Sequence, residues 1–91
     1  MDFTYNSNSI ALFDEENNLL AQVTFPAIDE NTVNIDHTFV DDSLRGQGVA
    51  GKLVEAAAKQ LRSQGKKAVL TCPYAMKWFE KHREEYKDIL K

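Results

Sequence analysis

Cysteine, excess positive charge and long apolar runs are all scarce in this 91-residue chain, and each shortage removes a class of protein. The one cysteine, Cys72, has no partner for an intramolecular disulfide. That fits a reducing compartment and leaves the thiol free for packing or chemistry. No apolar stretch approaches the roughly 18 residues of a membrane-spanning helix. The opening "MDFTYNSNS" has neither the basic nor the apolar region of a secretory signal, so a cytoplasmic location and no membrane partner are expected. With 11 basic and 14 acidic residues the net charge is −3, which argues against a general nucleic-acid partner. His82 has no companion at metal-ligand spacing, and no metal is expected.

What is present is ordinary for a soluble globular protein, with 43% hydrophobic and 27% charged residues. The length predicts a single domain over residues 1–91. A domain of this size buries roughly 60–65% of its unfolded surface, enough for one core and one shared cleft.

"SIALFD" (9–14) and "LLAQVTFPAI" (19–28) read as strands joined by a polar turn. Pro26 cannot donate a ladder hydrogen bond, so the second strand is expected to bend or meet an edge there. "TVNIDHTFV" (32–40) alternates, placing Val33, Ile35, His37 and Phe39 on one face and Asn34, Asp36 and Thr38 on the other. The three runs predict an antiparallel meander with one buried face. Then the period changes. Ala50, Leu53, Val54, Ala57, Ala58 and Leu61 form a helical stripe, with Gly65 as its terminator. "KAVLTC" (67–72) reads as a strand, and Pro73 is placed for the first turn of a helix over 74–82. "REEYKDIL" predicts a further short helix or tail packed through Tyr86, Ile89 and Leu90. The fold class is therefore α/β of the α+β kind: an antiparallel β-meander followed by α-β-α, in the order β-β-β-α-β-α.

The junction "LRGQGVAGKL" (44–53) feeds three glycines into the predicted helix. Glycine-rich turns at a helix N-terminus aim backbone N–H groups at anions. Three phosphate patterns overlap here. The P-loop pattern fails because Leu53 stands where Ser or Thr would ligate Mg²⁺. The dinucleotide pattern Gly46-x-Gly48-x-x-Gly51 fails on context, because "DDSLR" separates it from its strand and the next strand ends in Thr71 and Cys72. The third pattern, R-x-x-G-x-A through Arg45, Gly48 and Ala50, keeps its context of strand, loop, amphipathic helix and strand. Gly51 then falls in the first helical turn.

That arrangement resembles the acetyl-CoA-binding core of the GNAT superfamily of N-acetyltransferases. With "HTFV" (37–40), "LRGQGVAGKLV" (44–54) and "CPYA" (72–75), the chain looks like the small subgroup that carries a cysteine beside the acetyl group. The likeness runs over roughly residues 9–90, with a C-terminal His-to-Tyr segment one residue longer than usual. It implies that the strands flanking the helix splay apart and hold the pantetheine arm of CoA. Arg45, Gly46, Gln47, Gly48, Val49 and Ala50 would then form the pyrophosphate loop, and Val40 would be the last strand residue to meet the arm. The implied co-substrate is acetyl-CoA or CoA, and the implied reaction is transfer to an unidentified amine, with an acetyl-cysteine intermediate on Cys72. A chain this small has little material for a deep acceptor pocket, which leaves room for a macromolecular acceptor. The alternative is a non-catalytic CoA-binding module.

The candidate catalytic residues are Cys72, His37 and Tyr74. Cys72 is placed at a strand end and a helix start, where the positive end of the helix favours a thiolate; the competing role is a small buried hydrophobe. His37, on the expected apolar face, is either a hydrogen-bonded core histidine or, across a splayed strand pair, a base for Cys72. Tyr74 is either a packing residue or, as the resemblance implies, the acid toward departing CoA. Thr38 reads as a surface strand residue.

Overall fold

The computed structural model describes residues 2–91. The chain runs β1 (Thr4–Tyr5), β2 (Ser9–Phe13), β3 (Leu19–Thr24), β4 (Ala27–Asp29), β5 (Thr32–Ile35) and β6 (His37–Val40). It continues through α1 (Val49–Gln64), β7 (Lys67–Leu70), α2 (Pro73–Lys81) and α3 (Arg83–Tyr86). This is the expected α+β domain, but its strands divide between two sheets. One is antiparallel in the order β1-β2-β3-β6; the other has the order β4-β5-β7, with β5 and β7 parallel.

Two of the expected strands are therefore broken. The strand of run 19–28 ends at Thr24; Phe25 still gives its N–H to the Asn8 carbonyl at 2.9 Å, but Pro26 has no N–H to continue the pairing. The run 32–40 breaks at Asp36. There the Asp36 carboxylate accepts a hydrogen bond from Thr24 Oγ1 at 2.5 Å, and its N–H reaches the Thr24 carbonyl at 3.3 Å. The extra residue shifts the alternation by one. Val33 and Ile35 are buried, but His37 and Phe39 emerge on the exposed face while Thr38 and Val40 turn inward. The expectation of one continuous face through Val33, Ile35, His37 and Phe39 is thus overturned, because side-chain direction depends on unbroken pairing.

α1 is cut to length by its glycines. Gly48 (φ 73°) and Gly65 (φ 69°) flank it in the left-handed region, and Gly65 N–H satisfies the Arg62 and Leu61 carbonyls. Of its predicted stripe, Leu53, Val54, Ala57, Ala58 and Leu61 lie buried in one core with Ile10 and Val23 of the antiparallel sheet, while Ala50 is half-buried and Val49 takes its place in the core. Each of Leu53, Val54 and Leu61 contributes roughly 1.5–3 kcal/mol of burial. Pro73 opens α2 at its first turn, as predicted. Tyr86 and Ile89 close the core from the C-terminal side.

Candidate functional site

A gap opens where the two sheets part company. β5 and β7 pair as far as Ile35 and Leu70. Beyond that point the N–H groups of both Thr71 and Cys72 converge on the Ile35 carbonyl, at 3.1 and 3.2 Å. β6 meanwhile pairs with β3 and leaves β7 behind. The Asp41 N–H bonds the Leu20 carbonyl at 2.7 Å, which sets the hydrogen-bonding parity of that ladder. His37 and Phe39 therefore direct their main chain at β3, and Thr38 and Val40 direct theirs into the gap. The result is an unpaired strand edge, available to an extended ligand arm.

Cys72 sits at the closed end of this gap. It caps α2 with an extended backbone, and its carbonyl accepts the Met76 N–H at 3.0 Å. The side chain is 4% exposed, and its Sγ lies 3.7 Å from Thr38 Oγ1. His37 does not join them. It is exposed on the opposite face of β6, a direct consequence of the Asp36 break. The expected approach of His37 to Cys72 across the splayed strand pair is corrected accordingly, and Thr38 stands beside the thiol instead.

The glycine loop forms the mouth of the gap. Asp41 starts it by accepting hydrogen bonds from the Ser43 N–H and hydroxyl, at 3.0 and 2.6 Å. A short 3-10 turn over Asp42–Leu44 follows, then Gly46 (φ 82°) and Gly48 (φ 73°). The first N–H satisfied by the helix is that of Lys52, on the Gly48 carbonyl at 3.2 Å. Among the described residues, the N–H groups of Gly46, Gly48, Val49, Ala50 and Gly51 have no acceptor. Gly46, Gly48, Val49 and Ala50 line a cavity of about 240 Å³ together with Val40, Leu44, Arg45 and Tyr74. Arg45 carries its charge at the rim, paired with Asp42 at 2.8 Å. Of the predicted loop residues only Gln47 lies outside the lining.

Tyr74 spans the space between loop and helix. Its ring is 40% exposed, and burial of the rest raises the phenol above its ordinary value, which keeps it a proton donor at neutral pH. Its hydroxyl lies 3.2 Å from where a Cβ on Gly51 would sit, and Trp78 Nε1 lies 3.4 Å from the same point. Gly51 thus lets α2 approach the first turn of α1, a role its place in two failed motifs concealed. Trp78 is fixed from behind by Phe79 and by a stacked His82 at 4.1 Å.

A larger cavity of about 660 Å³ lies between α1 and β1, lined by Phe3, Tyr5, Lys52, Glu55 and neighbours. None of the loop residues with free amides lines it. The smaller cavity is the better site, because convergent polar groups rather than volume define one.

A family described as GCN5-related N-acetyltransferase matches residues 9–89. A GCN5-like protein of Staphylococcus aureus, solved in solution by NMR, superimposes with a TM-score of 0.79 at 37% identity, over 99% of this chain and 87% of that one. A GNAT-family N-acetyltransferase of Escherichia coli, crystallised with CoA, gives a TM-score of 0.60 at 26% identity, over 68% of this chain and 38% of that one. The protein NATD1 of Xenopus tropicalis is 34% identical over 62 residues, which are 68% of this chain and 57% of that relative.

Proposed function

The chain belongs to the GCN5-related N-acetyltransferase family, and from that membership we propose that it transfers the acetyl group of acetyl-CoA to an amine through Cys72. The observation that carries the reading is the continuity of the site. β6 links its two ends: Thr38 meets the Cys72 thiol, and Val40, two residues on, lines the cavity beside the unpartnered loop amides.

The residues fit the co-substrate part by part. The free amides of Gly46, Gly48, Val49, Ala50 and Gly51, at the positive end of a 16-residue helix, suit a pyrophosphate. Arg45 adds a charge at the rim. The main chain of Thr38 and Val40 suits the amides of a pantetheine arm. Val40 and Leu44 supply apolar walls.

Cys72 Sγ forms a bond to the acetyl carbonyl carbon while the bond from that carbon to the CoA sulfur breaks. The proton lost by Cys72 is balanced by the one the departing thiol gains, and Tyr74, two residues on from Cys72 at the start of α2, is the donor. An amine then attacks the acetyl carbon on Cys72, the C–S bond breaks, and the amine's proton returns to sulfur. Thr38 holds Sγ in place for both steps through its hydroxyl. His37 has no part in either.

Intact-mass analysis after incubation with acetyl-CoA tests the reading. One acetyl group on Cys72, absent in Cys72→Ala, is expected. Tight CoA binding with no acetyl group on Cys72 and no transfer to any amine would leave a CoA-binding module instead.

A further inference from the structure

The antiparallel sheet ends on one side at β6, beside the gap, and on the other at β1. β1 pairs with β2 in the register Thr4↔Ala11 and Tyr5↔Ile10. The Asn6 N–H bonds the Ser9 carbonyl at 2.9 Å, so Asn6 and Thr4 turn their main chain to β2. Phe3 and Tyr5 turn theirs outward, to an edge where no strand lies among the described residues. The stretch "FTYN" (3–6) has no Lys, no Pro and no shift of register, the devices that keep sheet edges apart, and Phe, Thr and Tyr favour strands. Inward of this edge lies the cavity of about 660 Å³ between β1 and α1. Tyr5 stands opposite Ile10, which shares the core with Leu53 and Val54, so Tyr5 and Phe3 lie on the α1 side of the sheet. Their rings meet edge to face at 6.5 Å, and Tyr5 remains 58% exposed. Lys52, Glu55, Ala56 and Lys59 form the facing wall. Gln60 Nε2 bonds the Asn6 carbonyl at 3.0 Å and ties that wall to the end of β1.

The geometry points to a second copy of this chain as the occupant of this edge. Two copies related by a two-fold axis through Thr4 set Phe3 of each opposite Tyr5 of the other. By the parity above, both pairs exchange main-chain hydrogen bonds, about four in all, and the two Thr4 residues face one another on the axis. The patch is self-complementary in three respects. Its edge offers N–H and C=O groups alternately, which an antiparallel copy reverses. Its rings stand on the α1 side, so each copy brings Phe3 and Tyr5 to the open cavity of the other, where opposed aromatic pairs attract. Its rim carries both signs, Lys52 and Lys59 with Glu55, so an approaching copy meets opposite charge as well as like. A small aromatic ligand would fill the cavity but leave the main chain of the edge unpaired; a strand does both. The catalytic gap stays open, because β2 and β3 separate β1 from β6. So short an edge makes a small interface, with half-dissociation expected at about 100 µM. The inference is independent of the acetyl-transfer reading.

Sedimentation equilibrium of the wild type from about 10 µM to about 1 mM is expected to show the mass rising from one chain toward two. Tyr5→Lys places on the edge the kind of charge that guards natural sheets, and is expected to weaken the dimer about tenfold or more. Thermal melting at about 10 µM, where the monomer prevails, checks that this variant folds. Disulfide trapping then reads the register. Thr4→Cys puts the new thiols on the axis, in a pair whose Cα atoms lie roughly 4.5 Å apart, within the reach of a disulfide. Phe3→Cys puts them roughly 8 Å apart, beyond it. Under mild oxidation Thr4→Cys is expected to link at least about five times faster than Phe3→Cys, with the link mapped by mass spectrometry. Cys72, at 4% exposure, does not compete. A chain that stays monomeric at about 1 mM overturns the proposal. So does a dimer that a folded Tyr5→Lys leaves intact, or one that links no faster through Thr4→Cys than through Phe3→Cys. If Tyr5→Lys does not fold, the two cysteine variants decide by themselves.

Discussion

Gly51→Ala separates the role of Gly51 as a spacer from its role as a helix residue. In α1 an alanine is favoured over glycine by up to about 1 kcal/mol. Its backbone has no positive φ to strain. The added methyl would stand 3.2 Å from Tyr74 Oη, closer than relaxed contact, and 3.4 Å from Trp78 Nε1, at the near limit of ordinary contact. Trp78 cannot yield, since its ring is held by Phe79 at 5.0 Å, His82 at 4.1 Å and Tyr86 at 5.4 Å. Tyr74 can, because its ring is 40% exposed and only its tip is touched. The variant is therefore expected to stay within about 1 kcal/mol of wild-type stability, less than about 8 °C in Tm. Its Cys72 acetylation is expected to slow about tenfold, a fraction of what a misplaced general acid can cost. Urea denaturation gives the first number and timed intact-mass spectra the second. The decisive arm is the cycle with Tyr74→Phe, in which adding Gly51→Ala should slow acetylation little further. A loss of more than about 2 kcal/mol, or an equal slowing with and without the Tyr74 hydroxyl, would refute the reasoning.

Four further outcomes are expected. Gly48→Ala meets no atom within 4 Å but must hold φ near 73°, so it should cost about 1–2 kcal/mol by denaturation, and Gly48→Asn distinctly less. Asp42→Asn frees Arg45 from its 2.8 Å pair and removes a negative charge from the loop, so calorimetry should show CoA binding tightened roughly two- to fivefold at low salt. Thr38→Val should slow alkylation of Cys72 by iodoacetamide, while Thr38→Ser restores the rate, because the hydroxyl stands 3.7 Å from Sγ. The Arg62 guanidinium, bonded to Asp88 at 2.7 Å, holds that carboxyl below its ordinary 3.8. A depressed carboxylate contributes stability that is complete above its unfolded value and is lost as pH falls through the folded one. Denaturation midpoints of wild type and Asp88→Asn should thus differ at pH 7 and converge toward pH 2.

Much of the fold was legible because its signals are local. The apolar stripe of α1 repeats at 3.6 residues, Gly65 and Pro73 punctuate the elements around β7, and each acts on its own neighbours. The phosphate loop was legible for the same reason: Arg45, Gly48 and Ala50 lie within six positions, and backbone amides need no distant partner. Cys72 was legible as a candidate from its place before Pro73, but not its companion. Thr38 looked like a surface residue and His37 like an inward one, because alternation was counted through Asp36 without a break. Nothing local marks that break. It is made by a hydrogen bond to Thr24, 12 residues away, and by the competition of β3 and β7 for one strand.

Composition and periodicity by themselves determined a small α+β domain with an anion-binding turn at the head of its long helix. The tertiary structure decided which side chains meet across the gap. Side-chain direction along a strand is set by its partners, so only the pairing of β5 with β7 and of β6 with β3 could open the gap, turn Thr38 to Cys72 and turn His37 away.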